Sequence, residues 1–132
     1  MTTKSLFKTL ALAGALIAAP LAIGGNAFAH GSMVPKHGGQ VTMTGETLVE
    51  FVRSAKGVSI YVSEEDEPLA AAGYNGKLIV TEGAKKREAV LKSAAGNRFD
   101  AAGLKVAKGA KVTVSLVSKA SQSRTMASFT VK

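Results

Sequence analysis

The sequence predicts an all-β protein: a single antiparallel β-sandwich, immunoglobulin-like, of about seven or eight short strands. Three observations predict it. Apolar residues recur with a period of two, most plainly at Val58, Ile60 and Val62 against Ser59, Tyr61 and Ser63. Turn signals rich in glycine punctuate these runs at short intervals. No stretch after Ala29 carries the helical apolar period of an amphipathic helix.

The elements follow in order. Val41 and Met43 alternate with Thr42 and Thr44, and Gly45-Glu46 turns the chain. Thr47 to Arg53 is a strand with Val49 and Phe51 on one face, closed by the turn Lys56-Gly57. Val58 to Ser63 is the next strand, and Glu64-Glu65-Asp66-Glu67-Pro68 is a charged turn. Leu69 to Ala72 is a short apolar link before a turn at Gly73-Tyr74-Asn75-Gly76. Lys77 to Thr81 and Lys86 to Lys92 are strands separated by Glu82-Gly83-Ala84. Ala94-Ala95-Gly96-Asn97 is a hairpin signal, with Arg98 to Ala101 as the return. Leu104 and Val106 pack at a corner, and Lys111 to Ser118 turns Val112, Val114 and Leu116 inward. Thr125 to Lys132 ends the chain with Ala127, Phe129 and Val131 on one face. The triplet Ala-Ala-Gly occurs at 71–73, 94–96 and 101–103, but its flanks do not match, so it is recurrent turn chemistry and not a repeat.

Residues 1–29 read as a signal peptide: basic Lys4 and Lys8, an apolar run from Leu10 to Ala19, then Ala27-Phe28-Ala29 as a small-x-small cleavage site. A membrane anchor is the weaker reading, since a spanning helix needs about 20 apolar residues and Pro20 interrupts this one. The expected organisation is therefore a signal peptide over 1–29, a flexible His/Met/Gly arm over 30–40, and a β-sandwich domain over 41–132. Export follows, with no membrane span after processing. The chain has no cysteine, which excludes disulfides, thiolate metal sites and a cysteine-linked lipid anchor.

Removing Lys4 and Lys8 lowers the formal charge from +8 to +6. Lys85-Lys86-Arg87 is the one basic cluster and reads as a solvated strand edge, where lysine also deters aggregation. Tryptophan is absent and aromatics are few, so the stacking platform of a single-strand nucleic-acid binder is missing. No catalytic triad or carboxylate pair is recognisable, so the protein reads as a non-enzyme. Glu64 to Glu67 lacks the alternating layout of a calcium loop.

Both histidines, His30 and His37, fall within the stretch HGSMVPKHGGQV. Cleavage after Ala29 makes His30 the first residue, with a free α-amine of pKa about 7.7–8.0 beside an imidazole of about 6.5. The amine nitrogen and Nδ1 of His30 then close a chelate ring on one ion, and His37 adds a third nitrogen. Three nitrogens in a plane suit Cu(II), which tops the divalent affinity order. Met33 and Met43 offer thioether sulfur, a soft donor that favours Cu(I). The alternatives are two solvated imidazoles on a terminal arm, and core filling by Met43 and, more so, by Met126.

HGSMVPKHGGQV, followed by TLVEFV, VSIYVSEEDEPLAAAG, GKLIV and AAGNRF, resembles small exported proteins of bacterial copper and heavy-metal resistance or efflux systems. The signature is His-Gly at the start and Lys-His-Gly-Gly after it. A looser resemblance is to the CopC-like periplasmic copper carriers, β-sandwiches that begin at a mature histidine; it implies His30 as the matching ligand. That family's second histidine lies in a late segment, and the corresponding SKASQSRTMASFTVK here has none. The second ligand then falls to His37 or a methionine. The resemblance implies a periplasmic copper carrier or buffer; the donor chemistry of the arm makes His30 and His37 its expected metal ligands, with Met33 and Met43 as auxiliaries. Its partners would be a metal ion and an efflux component or other envelope protein. The alternative is a non-metal accessory or protein-interaction module that uses an exposed sheet edge.

Overall fold

A computed structural model describes residues 32–132. The expected signal peptide, residues 1–29, and His30 lie outside the described residues. The strands are β1 (Gln40–Thr44), β2 (Thr47–Ser54), β3 (Gly57–Glu64), β4 (Glu67–Pro68), β5 (Tyr74–Glu82), β6 (Lys85–Ser93), β7 (Arg98–Ala102), β8 (Lys111–Ser118) and β9 (Arg124–Thr130). One 3₁₀ turn, Ala71–Gly73, sits between β4 and β5. No helix among the described residues is long and apolar enough to cross a membrane.

Every pairing is antiparallel, and the path runs β1-β2-β3-β7-β6-β5-β8-β9, with β4 added to β3. The sheet bends back on itself until β1 nears β9, a sandwich-like, nearly closed barrel. The closing seam uses side chains. Gln40 donates its amide to the Thr130 carbonyl at 2.9 Å and accepts the Lys132 N–H at 2.9 Å, and the Thr44 hydroxyl donates to the Met126 carbonyl at 2.9 Å. The all-β class and antiparallel pairing are as expected; the path does not establish an immunoglobulin-like order.

Alternation puts the core where the sequence places it. Val49, Phe51, Ile60, Val62, Leu78, Val80, Phe99, Val112, Val114, Leu116 and Phe129 are all buried inside the fold. The Phe51 and Phe129 rings meet at 5.6 Å, joining early and late strands across the interior.

Four local expectations are corrected. β5 begins at Tyr74, so the expected turn at Gly73–Gly76 is mostly strand, with Gly76 paired to Leu91 and Leu116. The charged turn contains the short strand β4. Met126 is exposed, because it alternates with the buried Ala127 and Phe129. Met43 is half-buried but lies outside the core: its partner Leu48 alternates with the core residues Val49 and Phe51.

Candidate functional site

The outer face of β2 and β3 presents Leu48, Glu50, Tyr61 and Ser63, by alternation with the core residues. The register aligns them: Val41 pairs with Glu50 and Glu50 with Tyr61, while Met43 pairs with Leu48 and Leu48 with Ser63. A glutamate at such a position is ordinarily solvated, yet Glu50 is only 4 % exposed. Residues 32–39 cover it.

The chain enters at Ser32, whose N–H donates to the Asp66 carboxylate at 2.9 Å. It crosses the face as Met33-Val34-Pro35, with Met33 and Val34 exposed. The backbone then wraps the Glu50 carboxylate. The N–H groups of His37 and Gly39 donate to Oε1 at 2.8 and 3.0 Å, and that of Lys36 donates to Oε2 at 3.1 Å. Successive amides converging on one anion form a nest.

The two glycines make this wrap possible. Gly38 has φ +73°, a left-handed conformation that costs other residues energy. Gly39 lies so close to β2 that a Cβ there would collide with the Phe51 carbonyl oxygen. Lys-His-Gly-Gly is thus a backbone device for ringing a carboxylate.

The His37 ring completes the arrangement. It stacks on Tyr61 with centroids 3.5 Å apart and planes 7° from parallel. Its Nδ1 lies 2.9 Å from Glu50 Oε2. Burial alone pushes the Glu50 carboxyl upward in pKa. The Gly39 N–H, the His37 ring and the N–H groups of His37 and Lys36 together outweigh that, and the carboxyl titrates below the usual glutamate value. An ionised carboxylate can only accept, so Nδ1 carries the proton. In the neutral imidazole the lone pair is then on Nε2. The His37 side chain is 38 % exposed, so one end of the ring is anchored and the rest is open to solvent. A cavity of about 240 Å³ beside it is lined by Leu48, Tyr61, Pro68 and Asn97 among others.

The four sequence-derived candidates are placed as follows. His37 is at the centre. Met43 shares the outer face with Glu50 and pairs with Leu48 at the cavity wall. Met33 is exposed on the covering segment, and His30 lies outside the described residues. Among the described residues, no three His, Cys, Asp or Glu side chains converge as a metal cluster. A metal at His37 would therefore draw its other ligands from thioethers, from the segment ahead of Ser32, or from solvent.

Glu50 and Tyr61 were not singled out from sequence, because each occupies an ordinary outward position. A signal was present nonetheless. Val41, Met43, Leu48, Val52 and Tyr61 make this outward face too apolar for open solvent, which implies a cover.

The fold and site thus define an all-β domain with a strapped, histidine-bearing outer face. The chain matches no family model, and neither curated proteins nor solved structures give a significant match.

Proposed function

We propose that this is an exported, periplasmic metal-binding protein, a non-enzymatic copper carrier or buffer of a metal-resistance system. The observation that carries this reading is the Glu50–His37 pair. Metal-binding histidines almost always donate their second ring nitrogen to a carboxylate or carbonyl, which fixes the tautomer and raises ligand basicity. Here the Nδ1 contact to Glu50 leaves Nε2 as the donor atom. Met33 and Met43 are the sulfur donors nearest in sequence and on the same face, suited to Cu(I). If export removes residues 1–29, the α-amine and imidazole of His30 add nitrogen donors suited to Cu(II).

Titration of the processed protein with Cu(II), and with Cu(I) under reducing conditions, tests this. His37→Ala weakens affinity at least about tenfold, which is about 1.4 kcal/mol. One extra residue ahead of His30 weakens Cu(II) selectively, because the amine no longer sits in the chelate. Metal also raises the Tm of the parent, since it binds the folded state. Equal affinity of parent and His37→Ala would remove His37 from the site and the reading with it.

A further inference from the structure

Along the strand path the shortest pairing between neighbours is that of β6 with β7. β6 bonds β5 along its length but reaches β7 only at Lys92↔Asp100 and Ser93↔Phe99. Continuing that register would set Val90 against Ala102, yet there the strands part. The groove between them, about 590 Å³, is lined by Ala89, Val90, Lys92, Ala102 and Leu104 among others.

The parity of the ladder says which backbone groups face the groove. The hairpin at Gly83-Ala84 makes Glu82↔Lys85 a hydrogen-bonded pair. Lys85, Arg87, Ala89 and Leu91 therefore turn their N–H and C=O groups to β5. Lys86, Glu88 and Val90 turn theirs outward, and no protein group among the described residues meets them. Val90 is 73 % exposed, more than any other large apolar side chain described. A free edge beside an apolar groove is a template for another strand.

We propose that this groove is a β-augmentation site for an extended acidic segment of a partner protein. Charge selects the occupant. Lys86 and Lys92 flank Val90 on the outward face, with Lys85 close by on the same strand, whereas Arg87 is held by Glu82 at 3.2 Å. The intervening Glu88 is already paired with Lys77 at 3.1 Å. Asp100 in the groove wall accepts the Ser59 hydroxyl at 2.8 Å and lies 3.2 Å from Arg98 Nε, so its charge is met. The groove is short. The β6–β7 ladder closes one end, and Arg87 spans the other by donating to the Lys105 carbonyl at 2.9 Å. A second copy of this chain fits worse. A copy would bring a strand that itself carries Lys85, Lys86 and Lys92, so basic charge would face basic charge. A segment with carboxylates on either side of a small apolar residue matches Lys86, Val90 and Lys92. None of these residues takes part in the proposed metal site.

Fluorescence anisotropy with a labelled Glu-Asp-Val-Glu-Val-Asp-Glu peptide, and with its all-lysine counterpart, tests the proposal on the processed protein. The acidic peptide binds with a Kd below ~1 mM at low salt and weakens as salt rises. The lysine peptide does not bind. Val90→Pro removes an N–H that faces the groove and no bond to β5, so the fold persists and affinity falls at least about tenfold. Lys86→Glu with Lys92→Glu gives a similar fall, and decides the matter if the proline variant melts early. No binding to the parent, equal binding of the lysine peptide, or unchanged affinity in the charge-reversed variant would overturn the proposal. So would a concentration-dependent dimer that Val90→Pro dissolves, since the occupant would then be a second copy.

Discussion

The outer face of β5 and β8 and the outer face of β2 and β3 start from the same alternation and end differently. On β5 and β8, Lys77, Ile79, Thr81, Thr113, Ser115 and Val117 turn away from the core and stay exposed or half-buried. Lys77 meets Glu88 at 3.1 Å with both side chains about half exposed, an ion pair in water. On β2 and β3 the equivalent outward charge, Glu50, is buried beneath the chain that precedes β1. A carboxylate so enclosed is costly unless its oxygens are met. Here three amides and an imidazole meet them. Alternation decides which way a side chain points; it does not decide whether water or another stretch of chain receives it.

Removing the two charges separates these cases most sharply. Glu50→Ala leaves the converging amides without their acceptor and costs about 2–3 kcal/mol, read as a fall in urea midpoint at constant m. Hydrogen exchange at Lys36, His37 and Gly39 then rises to that of an unstructured chain. Gly39→Ala lifts the same segment by collision with the Phe51 carbonyl and costs about 1–3 kcal/mol.

Acid acts in the same direction. The Glu50 pKa is lower folded than unfolded, so its contribution is fully present above the ordinary glutamate range. It is lost as pH falls through the lowered value. Exchange protection at Gly39, followed by NMR in metal-free protein, thus holds at neutral pH and fails at a pH below the ordinary glutamate range. In Glu50→Gln that acid step disappears. Tyr61→Leu removes the stacked ring and costs about 1 kcal/mol, whereas Tyr61→Phe costs little. Lys77→Ala is smallest, below ~1 kcal/mol in a melting curve and screened by salt.

Much of the fold was legible because strand alternation and turn chemistry are local. Val58–Ser63, Lys111–Ser118 and the hairpin at Ala94–Asn97 all have the form their residues imply. Tyr74–Gly76 misled because glycine and asparagine are turn residues by local preference. Gly76 is instead needed in the strand, where a Cβ would crowd Leu91 and Leu116. His37 stood out as one of two histidines. Its partner Glu50 did not, since the two meet only when the segment folds back across β2. That contact depends on tertiary register and left no local periodicity to read.

Long-range ¹H–¹⁵N correlation spectra of the His37 ring give the most direct test, recorded on metal-free protein and then with Ag(I) as an air-stable stand-in for Cu(I). If Glu50 poises the ring as a ligand, Nδ1 carries the proton near neutral pH, and the metal shifts the Nε2 resonance while Nδ1 stays protonated. A ring protonated on Nε2 alone, or an Nε2 signal unmoved by the metal, would contradict it.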